Sequence, residues 1–141
     1  MSNAFASPVI VKASSAVTAT GTGAAVVLPR GSAAYAFTLD VSAAATDVGD
    51  TLDVKIQTYL EGYDWLDICT FTQVLGNGGV KRYISKCAPV LATAAFEVGT
   101  ALTAGNIRNI VLDRVRAVWA VVDAGTANVS FTFSVSCWPM G

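Results

Sequence analysis

Apolar and polar residues alternate with a period of two through much of this chain, most regularly from Thr51 to Leu75. Leu52, Val54, Ile56, Thr58 and Leu60 alternate with Asp53, Lys55, Gln57 and Tyr59, the pattern of a strand with one buried and one wet face. Glu61-Gly62-Tyr63-Asp64 follows as a turn, since Gly supplies positive φ and Asp bonds back to nearby backbone. The return arm, Trp65 to Val74, sets Trp65, Asp67, Cys69, Phe71 and Gln73 on one face and Leu66, Ile68, Thr70, Thr72 and Val74 on the other. Both faces carry apolar groups, so this arm is expected to be covered on both sides. The stretch predicts a β-hairpin around which the remaining chain packs.

The same period recurs elsewhere. Pro8 to Lys12 is a short β-branched run, and the low-complexity segment after it holds two weakly specified strands, Ala16–Thr20 and Ala24–Leu28, between glycines and prolines. Ala34 to Ala43 turns Tyr35, Phe37, Leu39 and Val41 to one side and, with the hairpin, predicts a three-stranded unit. Gly76-Asn77-Gly78-Gly79 forces a turn, and Val80–Cys87 restarts as a strand with its basic residues on the wet side. Pro89–Leu102 fits either a short helix or a loop with a short strand at Ala95–Val98; the β character of its neighbours and Gly99 favour the latter. Asn106–Leu112 and Arg114–Val122 read as strands, the second burying Val115, Ala117, Trp119 and Val121. In Asn128–Cys137, Val129, Phe131, Phe133, Val135 and Cys137 alternate with Ser and Thr. Asp123-Ala124-Gly125-Thr126 reads as a hairpin turn, which predicts antiparallel pairing of this last strand with Arg114–Val122. Eight or so short strands with Gly-rich turns specify an all-β antiparallel sandwich or jelly roll, a single domain over residues 8–141 behind a flexible arm at 1–7.

Composition changes the picture in one respect. Of 141 residues, 53% are hydrophobic and only 13% charged, too few charges to cover a free surface. Part of the surface is therefore expected to be covered by copies of the chain or by another protein. Net charge is −1, and only Lys81-Arg82-Lys86 and Arg108-Arg114-Arg116 are loosely grouped, which argues against nucleic acid, whose phosphates draw on many convergent cations. Those groups read as solvated faces or rim contacts. The longest uncharged run, Ala13–Pro29, is broken by glycines and hydroxyl residues, so no membrane span is expected. The N-terminus makes a poor secretory signal, and a cytoplasmic site of assembly is expected.

Candidate chemistry is sparse. The chain has no histidine, which removes the commonest general base and most zinc sites. Acidic residues cluster from Asp40 to Asp67, and Asp47-Val-Gly-Asp50 and Glu61-Gly-Tyr-Asp64 place oxygen ligands in loops. Their spacing matches no regular calcium loop, and Asp with Gly is what turns contain. No metal, cofactor or catalytic residue is assigned. Cys69, Cys87 and Cys137 lack CxxC spacing and read as buried small hydrophobes. The exposed-looking aromatic group is Tyr59, Tyr63 and Trp65 at the hairpin tip. It suits a protein contact or, on a β-sandwich, a sugar ring, while Trp65 also suits the core. Partner contact is assigned to Phe5, Tyr59, Glu61, Tyr63, Asp64 and Trp65.

TLDVKIQTYLEGYDWLDICTFTQVLG followed by RVRAVWAVVDAGTANVSFTFSVSC resembles small β-sandwich virion proteins of tailed bacteriophages. In these, an LDVxIQ-type strand leads through a Gly-Asp-type turn to a Trp-containing strand ending in TFTQV. The resemblance spans about half of the chain; here the turn departs from the common Asp-Gly form, so no ligand is carried over to it. It implies a non-enzymatic capsid decoration or cement protein on the virion surface, often trimeric, contacting the major capsid protein or other virion proteins. A head-to-tail or tail component is the alternative within that class. Outside it stands a carbohydrate-binding module using Tyr59, Tyr63 and Trp65.

Overall fold

A computed structural model describes residues 7–125 and 127–141. The arm expected at residues 1–7, with Phe5, lies outside the described residues except for Ser7. Among the described residues eleven strands form, every one paired antiparallel: β1 (Val9–Val17), β2 (Gly21–Thr22), β3 (Val26–Val27), β4 (Ala34–Ala43), β5 (Thr51–Leu60), β6 (Asp64–Thr70), β7 (Val74–Leu75), β8 (Lys81–Cys87), β9 (Asn106–Ile107), β10 (Arg114–Val122) and β11 (Phe131–Met140). They make a four-stranded sheet, β1-β11-β4-β8, and a seven-stranded sheet, β2-β10-β5-β6-β9, with β3 beside β10 and β7 beside β5.

Taking β2 with β3 and β6 with β7, and setting the short β9 aside, leaves eight strands in chain order. The sheets then run 1-8-3-6 and 2-7-4-5, the strand order of a jelly roll, so the all-β sandwich expected from the alternation is the fold. Its core lies between the inner faces. Phe37, Leu39 and Val41 of β4 and Phe133 and Val135 of β11 meet Leu52, Val54 and Ile56 of β5 and Val115 and Ala117 of β10, all fully buried. Each large side chain taken out of water there contributes about 1.5–3 kcal/mol.

The phase of β4, β5, β10 and β11 follows the alternation, but their assignment to sheets corrects two expectations. β4 does not join the hairpin in one unit; it pairs with β11 and β8 in the opposite sheet. β11 likewise pairs with β1 and β4, and β10 with β5, β2 and β3, so the chain changes sheet between β10 and β11. The reason is that one apolar face per strand is satisfied by a strand stacked across the core as well as by one alongside. The loop after β4 and the β10–β11 link are clasped together. Asp50 Oδ1 accepts from the Ala124 and Gly125 amides at 2.8 and 3.1 Å, and Asp47 Oδ2 from the Ala127 amide at 2.7 Å. A Cβ on Gly125 would overlap the Asp47 side chain, so glycine is what allows the close approach.

Local boundaries shift too. The run Pro8–Lys12 continues to Val17 as one strand, irregular around Lys12, in place of a separate strand at Ala16–Thr20. The Lys12 ammonium bonds the Ala13 and Phe133 carbonyls and the Ser15 hydroxyl and lies 4.1 Å from the Phe133 ring centre. Ala24–Leu28 shrinks to Val26–Val27, and Asn106–Leu112 to Asn106–Ile107. Pro89–Leu102 is loop throughout, without the short strand at Ala95–Val98. The return arm of the hairpin breaks after Thr70 and resumes at Val74.

Candidate functional site

The hairpin β5–β6 closes through Glu61, Gly62 and Tyr63, one residue tighter than expected, because Leu60 pairs with Asp64. The Tyr63 amide donates to the Leu60 carbonyl at 2.9 Å, and Gly62 takes φ +80°, a conformation that favours glycine. Asp64 is the first residue of β6, and its Oδ1 accepts from the Trp65 amide at 2.7 Å.

Past the turn, the register slips between Ile56 and Gln57: Ile56 faces Cys69 and Gln57 faces Asp67, leaving Ile68 as an extra residue. This β-bulge breaks the expected alternation and explains how Leu66, Asp67, Ile68 and Cys69 are all buried in succession. The Ile68 carbonyl, freed from the ladder, accepts from the Arg108 amide at 2.8 Å. Arg108 Nη1 in turn donates to the carbonyls of Asp67 at 2.9 Å and Thr100 at 3.1 Å.

On the outer face of this sheet the cross-strand pair Tyr59 and Trp65 brings two rings to a centre distance of 5.2 Å. Arg114 sits 5.1 Å from the Tyr59 ring centre and Arg116 4.1 Å from that of Trp65. Arg108 stacks at 3.8 Å on Phe96 in the loop above. Each member of the loosely grouped trio Arg108, Arg114 and Arg116, expected on solvated faces or as rim contacts, covers an aromatic ring. Such contacts are worth about 0.5–1 kcal/mol each when exposed.

Behind the rings runs a polar chain. Lys55 Nζ donates to Asp67 Oδ2 at 3.1 Å, Gln57 Nε2 to Asp67 Oδ1 at 2.8 Å, and Arg116 Nε to Gln57 Oε1 at 2.9 Å. The Leu102 amide adds a bond to Asp67 Oδ2 at 3.1 Å. Burial alone would raise the Asp67 pKa, but Gln57, Leu102 and Lys55 together outweigh it and hold the carboxyl below its ordinary value. Arg116 is pulled the other way, below the usual arginine value, by partial burial, against the field of Asp64. Lys55, Gln57, Trp65, Asp67 and Arg116, with Phe96, Gly99, Thr100 and Ala101 of the loop, enclose a cleft of about 190 Å³ with Asp64 at its rim.

Of the residues assigned to partner contact, Tyr59 and Trp65 come together and Glu61 joins them through Arg114, at 3.6 Å. Tyr63 stands apart at the tip, 74% exposed, and Phe5 lies outside the described residues. Tyr63 stacks on neither ring, and an arginine lies over each of the other two. Asp47 and Asp50 serve as backbone acceptors at the inter-sheet link. Among the described residues no group of three or more His, Cys, Asp or Glu is placed to hold a metal ion.

A second surface was not anticipated. The outer face of the four-stranded sheet carries Ile84, 74% exposed, and Trp138, 41% exposed. Around them Ala36, Thr38, Lys86 and Met140 complete a crevice of about 410 Å³. The Trp138 indole N–H donates to Thr38 Oγ1 at 3.2 Å, which fixes the ring on the sheet. The signal available in the sequence was a tryptophan in the Ser/Thr phase of the last strand, one residue past the predicted end at Cys137.

The three thiols are fully buried, and burial pushes Cys69 up to about 11 and Cys87 and Cys137 up to about 12. A thiolate is the reactive form, so the native protein at pH 8 is expected to resist iodoacetamide at all three positions and to label fully only in denaturant. Labelling of the folded protein, read by mass spectrometry, would contradict that assignment.

No helix among the described residues is long and apolar enough to cross a membrane. Comparison with known proteins finds no matching family model, no matching curated protein and no matching solved structure.

Proposed function

We propose that this chain is a structural virion protein of a tailed bacteriophage, a decoration or cement protein that assembles as a homo-oligomer on the capsid surface. The observation that carries the reading is the unpaired apolar surface on the outer face of the four-stranded sheet, centred on Trp138 and Ile84, in a chain with few charges. A part-exposed tryptophan fixed by a hydrogen bond beside Ile84 and Met140 is the kind of anchor that dominates protein interfaces. The motif resemblance of β5–β6 and β10–β11 points the same way, and jelly rolls recur among capsid proteins, an argument by analogy of fold alone. Weak contacts repeated over many copies suffice for stable coating. The arginine-covered rings at the hairpin tip weigh against the sugar-binding alternative.

The test pairs the mass of the purified protein in solution with its copy number on particles. A defined oligomer, and occupancy that falls at least tenfold in Trp138→Ala/Ile84→Ser with the fold intact, is the expected result. A monomer that leaves particles bare would refute the reading, and a fixed ring at one vertex would move it to the head-to-tail class.

A further inference from the structure

We infer that the cleft between the outer face of the seven-stranded sheet and the loop from Phe96 to Ala101 binds a carboxylate group. The argument rests on donors and acceptors. The strong acceptors that line the floor are already taken: Asp67 Oδ1 by Gln57, Asp67 Oδ2 by Lys55 and the Leu102 amide, and Gln57 Oε1 by Arg116. Donors are left over. Arg116 uses Nε on Gln57, and both its Nη groups lack a protein acceptor among the described residues. Lys55 bonds Asp67 alone, leaving two of the three ammonium hydrogens free. A cavity whose acceptors are each engaged, with cationic donors to spare, is complementary to an oxyanion.

The shape of the donor set narrows the choice to a planar carboxylate. Stacking on Trp65 and the bond to Gln57 fix the plane of the Arg116 guanidinium, so its two Nη groups present a preorganised fork, the geometry that takes a carboxylate with two parallel bonds. Two carboxylates of the lining oppose an anion, but Asp67 is paired with Lys55, and Asp64 is exposed with its Oδ1 engaged by the Trp65 amide. At about 190 Å³ the cleft is below the roughly 300–1,000 Å³ of a drug-sized site. It has room for one small acid: a sugar acid or an acidic side chain supplies the same chemistry. This inference is independent of the virion reading.

The test follows the Arg116 Nε–H and Trp65 indole signals of the isotope-labelled protein as sodium glucuronate, N-acetylglutamate N-methylamide or glucose is added. At least one acid is expected to shift both signals saturably, at roughly millimolar affinity, and glucose is expected to leave them in place. The tighter of the two acids identifies the source. Arg116→Gln should weaken binding at least tenfold. Arg116→Lys, which keeps the charge without the fork, should fall between and carries the test if the glutamine variant does not fold. Glucose binding as well as glucuronate, unchanged affinity in both variants, or no saturable shift with either acid would overturn the inference.

Discussion

Asp67→Ala is expected to destabilise the protein by about 3 kcal/mol, the lower end of what removing one partner of a buried charged pair costs. Asp67 is 5% exposed and collects Lys55, Gln57 and the Leu102 amide. Its loss strands three part-buried donors, of which Lys55 has a third of its side chain exposed. Asp67→Asn keeps the acceptor oxygen and loses the charge, so it should fall between. The acid limb provides an independent check. The folded pKa lies below the ordinary 3.8, so the contribution is present above that value and is lost as pH falls through the folded pKa. Urea midpoints measured downward from pH 5 should therefore fall more steeply for the wild type than for Asp67→Ala. Parallel curves would show that Asp67 titrates alike in both states.

The same network marks the limit of what the sequence discloses. Strand phase in β4, β5, β10 and β11 was legible because period-two alternation reports which face is buried. Sheet membership was not, because burial of Phe37 or Phe133 is the same event whether the covering strand lies alongside or across the core. The bulge at Ile68 was hidden by its surroundings: with apolar residues in both phases of β6, a one-residue slip leaves no mark on the pattern. The tip was legible as an aromatic group with Tyr59 and Trp65, but its register and chemistry were not, since the turn closes one residue tighter than expected and Arg114 and Arg116 arrive from a strand distant in sequence, with Arg108 on Phe96 of the loop above. Trp138 was missed for a plainer reason, that the predicted strand stopped one residue short.

Asp50→Ala should cost about 1–3 kcal/mol, because it leaves two part-buried amides without their carboxylate acceptor. Asp50 is 1% exposed, and its carboxylate takes the Ala124 and Gly125 amides while its own carbonyl takes that of Gly76 at 2.7 Å. The carboxylate contacts hold Ala124 and Gly125, where the chain leaves β10 in one sheet to enter β11 in the other. Among the described residues no ladder runs along that passage, and side-chain acceptors satisfy amides that strand pairing satisfies elsewhere. Asp50→Asn retains an acceptor oxygen and should lose only about 1 kcal/mol, the difference between a charged and a neutral hydrogen bond. Asp47→Ala removes the neighbouring contact to Ala127, and the double variant should lose less than the two single losses added, since both groups hold one segment. Urea unfolding with an unchanged slope measures each value. A loss under about 0.5 kcal/mol for Asp50→Ala, the range of an ordinary surface substitution, would mean that pairing of β11 with β1 and β4 fixes the crossover unaided.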